Sequence, residues 1–80
     1  MYTVYIIQSQ KHGRYYVGHT RNLSLRLKRH NSSGVKSTKN GQPWKVVYSE
    51  CFNTRSETFK REMEIKSYKG GILFKKLLCM

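Results

Sequence analysis

Two apolar runs near the start of the chain, Tyr2–Ser9 (YTVYIIQS) and Arg14–Val17 (RYYV), are rich in β-branched and aromatic residues, and the polar Gln10-Lys11-His12-Gly13 separates them. The pattern predicts two strands joined as an antiparallel hairpin. Side chains alternate along a strand, so Thr3, Tyr5 and Ile7 share one face, and Tyr2, Val4 and Ile6 the other. Tyr16 and Gly18 likewise share a face of the second strand. A glycine there signals close approach of another group. The polar His19-Thr20-Arg21-Asn22 follows, with Asn22 placed to cap a helix over LSLRLKRH. At about 100° per residue, Leu23, Arg26, Leu27 and His30 form one stripe of that helix, so its inner face carries an arginine and a histidine.

Asn31–Pro43 (NSSGVKSTKNGQP) has no apolar period. Structureless loops longer than about 12 residues are usually functional or disordered. With Lys36 and Lys39 inside it and Arg29 beside it, this loop reads as a phosphate-contacting segment. Trp44–Phe52 (WKVVYSECF) predicts a third strand. Thr54 and Glu57, three apart, fit a capping box at the start of a second helix. Gly70-Gly71 should stop that helix, and Ile72–Leu78 (ILFKKLL) is either a short closing helix or an extended apolar tail. The expected architecture is a single α+β domain over residues 1–80, with helices packed on a small antiparallel sheet and Val4, Ile6 and Val17 in its core.

Charge changes the picture more than length does. Sixteen Lys and Arg face four acidic residues, a formal charge of +12. Such a chain repels itself unless it meets a polyanion, and nucleic acid is the first candidate. No segment approaches the roughly 20 consecutive apolar residues needed to span a bilayer. The first ten residues lack the basic stretch of a signal peptide, so the expected location is cytoplasmic, with nucleoid association an option. Cys51 and Cys79 are too far apart in sequence for a zinc motif and read as structural thiols.

All four acidic residues are glutamates: Glu50, Glu57, Glu62 and Glu64. A hard cation such as Mg²⁺ usually takes one or two protein carboxylates plus phosphate and water. Glu57 is engaged by the capping box, and Glu50 lies on a strand with no evident partner. If Phe59 and Met63 form the buried stripe of the second helix, Glu62 lies about 60° from Phe59 beside Lys66, and Glu64 about 140° away on the outer face. Glu62 is then the inward carboxylate. A plain i,i+4 ion pair between Glu62 and Lys66, worth about 0.2–0.5 kcal/mol, explains its position equally well. Arg26 and His30 also have a bland reading, as amphipathic side chains whose stems cover the core edge. Together, however, two strand tyrosines, an arginine, a histidine and a glutamate are the parts needed for metal-assisted phosphodiester hydrolysis.

From Thr3 to about Lys69 the sequence resembles a GIY-YIG nuclease domain. Thr3-Val4-Tyr5 stands at the first tripeptide, and Tyr16-Val17-Gly18 closely matches the second. RNLSLRLKRHN resembles the family's first helix, with Arg26 at the catalytic arginine, and Glu62 matches the metal-binding glutamate. HNSSG, QPWKVVYSE and TRSETFKREMEIK resemble the small single-domain subgroup related to the nuclease half of the bacterial excision-repair incision subunit. Thr3 and Val4 depart from the usual glycine and isoleucine, at backbone and packing positions. Arg21 stands where some members have lysine, replacing a point charge by a planar fork.

The resemblance implies a three-stranded antiparallel sheet flanked by helices, and a single divalent cation, Mg²⁺ or Mn²⁺, on Glu62. It implies an endonuclease that acts on DNA in repair, recombination or processing of branched DNA, with a protein partner as a possible source of targeting. In that scheme Tyr5 or Tyr16, with Tyr16 preferred, accepts a proton from water. Arg26 stabilises charge on the phosphate and His30 assists. His19, Arg21, Arg29, Lys36, Lys39 and Lys66 contact the nucleic acid. A free tyrosine titrates near 10, so this base needs nearby positive charge or an onward path for its proton. The main alternative is a non-catalytic nucleic-acid-binding module, in which the same groups act through charge and stacking. A membrane-surface or protein-docking role centred on ILFKKLL is a third reading.

Overall fold

The computed structural model describes residues 1–32 and 34–79. Ser33, within the basic loop and the HNSSG motif, lies outside the described residues, as does Met80. Strand β1 spans Tyr2–Ser9, β2 Tyr15–Thr20 and β3 Trp44–Phe52; helix α1 spans Leu23–Asn31, α2 Arg55–Ser67 and α3 Ile72–Leu77. The strands form one antiparallel sheet in the order β2-β1-β3, so β1 is central and β2 is an edge. The architecture is α+β, as expected. Strand β2 runs three residues beyond its predicted end, which moves His19 and Thr20 from a turn onto the strand.

Each side of the sheet carries its own apolar cluster. Tyr5, Ile7 and Trp44, with Tyr16, Leu23, Leu27 and Val46 around them, lie on the α1 side. Val4, Ile6, Ile65 and Phe74, with Tyr15, Val17 and Tyr48 around them, lie on the side of α2 and α3. A register shift between Ile6 and Ile7 pairs Ile6 with Tyr48 and Ile7 with Val46, leaving Val47 as the extra residue of a bulge.

The helix ends follow their caps. Asn22 accepts from the Leu25 N–H at 3.0 Å. Thr54 accepts from the Glu57 N–H at 3.2 Å and donates its hydroxyl to the Glu57 carboxylate at 2.9 Å. Lys69, at φ 50°, and Gly70, at φ 73°, are both left-handed and together turn the chain after α2. Ile72–Leu77 then forms a closing helix, not an extended tail, and its Phe74 enters the core.

Two expectations are corrected. The buried stripe of α2 is Thr58, Glu62 and Ile65, whereas Phe59 and Met63 are 53% and 47% exposed. Glu62 faces inward all the same. The basic loop is structured: Lys36–Gly41 is a 3₁₀ helix with Thr38 and Gly41 buried. It is held by polar contacts, since the Trp44 indole donates to the Thr38 carbonyl at 2.8 Å and Ser9 donates to the Gly41 carbonyl at 2.6 Å. Cys51 and Cys79 are exposed free thiols and do not serve the core.

The position of Ile65 makes a direct test of this packing. Ile65→Ala should lower unfolding free energy by about 2–5 kcal/mol in urea denaturation, the usual range for a buried large-to-small change. Met63→Ala should stay within about 0.5 kcal/mol, as for an exposed site. The reverse order would place the helix the wrong way round.

Candidate active site

The site begins with a space. Tyr5 pairs with Gly18 across β1 and β2, and Ile7 with Tyr16. A methyl group built on Gly18 would come within 2.7 Å of the Tyr5 hydroxyl and 3.2 Å of the Tyr16 ring. The close approach expected at Gly18 is therefore made by Tyr5, whose phenol crosses the bare backbone.

Tyr5 is 1% exposed, so its hydroxyl must find partners inside the protein. Helix α1 provides them. The hydroxyl lies 2.9 Å from His30 Nε2, and Arg26 Nε donates to it at 3.4 Å. On the other side of the imidazole, His30 Nδ1 lies 2.8 Å from Thr38 Oγ1, and that hydroxyl donates to the Val35 carbonyl at 3.3 Å. These roles fix the direction of the chain. With the Thr38 proton on Val35, Nδ1 of His30 carries hydrogen and donates to Thr38, which leaves Nε2 to accept from Tyr5. The result is a buried relay from Arg26 through Tyr5 and His30 to Thr38.

The electrostatics agree with it. Burial, followed by the nearby Arg26 charge, lowers His30 to about 4, so the ring is neutral near pH 7. Burial raises the Tyr5 phenol above the ordinary tyrosine range despite the opposing effect of Arg26. Arg26 is raised in turn, first by its hydrogen bond to Tyr5 and to a lesser degree by the Tyr16 phenol that lines the same cleft. His30, fully buried, therefore lies behind Tyr5, away from solvent.

Glu62 arrives from the opposite side of the sheet. Its carboxylate touches His19 Nδ1 through Oε1 and accepts from Lys66 Nζ at 2.6 Å through Oε2. Burial pushes its pKa up, but the hydrogen bonds from His19 and Lys66 outweigh that effect and hold it below the usual carboxylate value. The other three glutamates are engaged elsewhere. Glu57 stays with its cap, while Arg61 bridges Glu50 at 3.1 Å and Glu64 at 2.5 Å. Tyr48 donates to Glu50 at 2.6 Å, so the strand glutamate left without an evident partner has two.

Because β2 is an edge, groups from both faces meet beside it. Tyr5, Tyr16, Gly18, His19, Arg26 and Glu62 line one cleft of about 130 Å³. It adjoins two wider grooves. One, reached past His19 and Arg26, is lined by Tyr2, Arg21 and Arg55, with the Arg21 guanidinium 5.5 Å from the Tyr2 ring centre. The other, reached past Tyr16, is bordered by Arg14, Lys66 and Lys69. Of the residues expected to contact nucleic acid, His19, Arg21 and Lys66 lie along this path. Arg29, Lys36 and Lys39 are exposed but do not line it.

A family model described as the GIY-YIG catalytic domain matches residues 1–71. The chain belongs to the GIY-YIG family. It is 41% identical over 66 residues to a UPF0213 protein of Staphylococcus saprophyticus, covering 81% of this chain and 79% of that protein. The UPF0213 protein of Staphylococcus aureus strain Mu50 shows the same identity and coverage. The solution NMR structure of the UPF0213 protein BH0048 from Bacillus halodurans is 32% identical, with a TM-score of 0.51, and the match covers 84% of this chain and 72% of that one.

In this GIY-YIG domain the two tripeptides meet at one register pair, Tyr5 opposite Gly18, while Val17 and Tyr16 oppose Ile6 and Ile7. Membership implies a divalent cation, and the donor set is compatible with one. Glu62 is the carboxylate of the cleft, and His19 adds an imidazole beside it. Among the described residues no group of three or more His, Cys, Asp or Glu side chains converges, so water and substrate oxygens would complete the coordination. Sequence reading gave His19 a role on nucleic acid and overlooked its contact with Glu62. Period two, continued from Val17, places His19 on the α2 side and was the signal available. Arg14, Arg55 and Lys69 were also overlooked, having no pattern that separates them from other surface cations.

Neutral His30 ties stability to pH. An unfolded histidine takes up a proton near 6.5, whereas folded His30 does so only near 4, so the unfolded chain binds more protons between these values. The stability due to neutral His30 is complete above about pH 6.5 and is lost as pH falls towards 4, by on the order of 3 kcal/mol. Urea denaturation across that window should show a shallower fall for His30→Gln than for the wild type. Equal slopes would remove His30 as the group responsible.

Proposed function

We propose that this GIY-YIG domain is a divalent-metal-dependent endonuclease that hydrolyses phosphodiester bonds of DNA, in repair, recombination or processing of branched DNA. The observation that carries the reading is the meeting of Tyr16, Arg26 and Glu62 in one cleft at the sheet edge, flanked by a groove carrying Arg21 and Arg55 and by a mainly apolar groove bordered by Arg14, Lys66 and Lys69. A DNA strand laid along β2 would set one phosphate at the cleft and its neighbours near Arg21 and Arg55 on one side and Lys66 and Lys69 on the other. Phosphate contacts of this kind hold a strand in register without reading its sequence.

Within the cleft the side chains divide the work. Glu62 would hold Mg²⁺ or Mn²⁺, and such an ion, when bound, supplies Lewis-acid polarisation of the phosphate. Arg26, already fixed by Tyr5, places its guanidinium where negative charge grows on the phosphoryl oxygens, so little reorganisation is needed at the transition state. Tyr16 is half-buried and lines the cleft, so its phenol is accessible to a water molecule whose proton it accepts. Tyr5 is buried and engaged by His30 and Arg26, which suits a positioning role. His30 then acts through Tyr5 and does not itself meet the phosphate.

Nicking of supercoiled plasmid and of flap or branched oligonucleotides, with Mg²⁺ or Mn²⁺, tests the assignment. Arg26→Ala should lower cleavage by about 10²–10³-fold, the scale of losing one group that stabilises developing charge. Glu62→Gln should abolish the metal-dependent rate, and both variants should keep a wild-type melting profile. Cleavage unchanged in both variants would overturn the site. DNA binding without cleavage by the wild type on every substrate would overturn the activity and leave a binding module.

A further inference from the structure

His19 is not used by the chemistry above. It sits on the α2 side of β2, next to Gly18, and its Nδ1 is the atom that meets Glu62 Oε1. Lys66 occupies the other carboxylate oxygen, Oε2, at 2.6 Å. The Phe59 ring stands edge-on to the imidazole with centres 6.4 Å apart. The His19 side chain is 27% exposed, so an ion entering from the cleft can reach it.

The chemistry of these three groups differs. The Lys66 ammonium has donors only and cannot ligate a cation. It can remain on Oε2 and offset part of the carboxylate charge. A neutral imidazole has a lone pair on one nitrogen; Nδ1 of His19 donates to Glu62 in the metal-free contact, and with its hydrogen moved to Nε2 it presents that lone pair beside the carboxylate. We infer that His19 is a second protein ligand to the divalent ion held by Glu62, making the centre a nitrogen–oxygen pair. The inference rests on the proposed metal-dependent reading, and it adds a consequence for ion preference.

Mg²⁺ is hard, gives up water reluctantly and gains little from an imidazole nitrogen. Affinity for nitrogen donors rises along the first-row series from Mn²⁺ to Co²⁺ and Ni²⁺. A centre with His19 in its coordination shell therefore favours Mn²⁺ and Co²⁺ over Mg²⁺. A histidine that merely positions Glu62 through a hydrogen bond would influence all of these ions alike.

The experiment uses the wild-type chain with Mn²⁺ alone, read by pulsed EPR for coupling between the ion and a ligand ¹⁴N nucleus, alongside calorimetric titration with Co²⁺ and Mg²⁺. The wild type should show the ¹⁴N coupling, and it should vanish in His19→Ala. The same variant should lose about tenfold or more in Co²⁺ affinity, the scale of disturbing a metal site's protein shell, while Mg²⁺ affinity changes much less. Lys66→Ala should keep the nitrogen signal, which separates ligation from general loss of the pair. If wild-type protein binds Mn²⁺ and cleaves DNA without ¹⁴N coupling, the inference fails and the nuclease reading stands. Absence of both metal binding and cleavage overturns the two together.

Discussion

The buried hydroxyl of Tyr5 is the constraint on which the domain is arranged. A phenol in the apolar layer between sheet and helix is unfavourable without partners, by about 1–3 kcal/mol for an unsatisfied polar group. It can cross to α1 only because Gly18 opposite it has no side chain. Once there, it needs both a donor and an acceptor, which Arg26 and His30 supply from adjacent turns of one helix. The rotation of α1 about its axis is thus set by a polar requirement as much as by Leu23 and Leu27. The same requirement aims the arginine at the sheet edge.

The edge position of β2 does the rest. In a central strand, residues on opposite faces are separated by the sheet and could not share a site. At an edge, Tyr16 and Gly18 on one face come together with His19 on the other, and an α1 arginine meets an α2 glutamate around the strand. Exposed edges invite pairing with other chains. Here Arg14, Arg21, Lys66 and Lys69 line the grooves along that edge, which discourages strand addition and suits a polyanion.

What the sequence disclosed, and what it withheld, follows from this layout. The strands, the Asn22 and Thr54 caps and the Leu23-Arg26-Leu27-His30 stripe were legible because each obeys a local rule of period or capping. Helix α2 misled because apolarity was used to find its inner face. It packs partly over a polar cleft, so Thr58 and Glu62 are buried while Phe59 and Met63 remain outside. Glu62 emerged as the inward carboxylate from the wrong stripe, since residue 62 borders both. The 3₁₀ helix was illegible because it has no apolar period and is held by side chains outside it, the Trp44 indole, His30 and the sequence-distant Ser9. His19 was missed because the end of β2 was placed too early, and no local rule distinguishes a strand's last turn-like residues from the turn itself.

In so small a domain the site and the core cannot be separated. Among the described residues, Ser9, His30, Thr38, Thr58 and Glu62 are buried polar side chains beside only seven buried apolar ones. Tyr5 belongs to the apolar cluster with Ile7 and Trp44 while its hydroxyl belongs to the relay. Loss of activity after substitution at Tyr5 or His30 therefore says little about catalysis, since either change leaves a buried group without its partner. Arg26 and Tyr16 are only partly buried, and Glu62 pairs with an exposed lysine, so their substitution disturbs the cleft more than the core. Chemistry can be assigned at those three positions from kinetics alone once folding is shown intact. At the two buried ones it requires a variant, such as Tyr5→Phe, compared for stability and rate together.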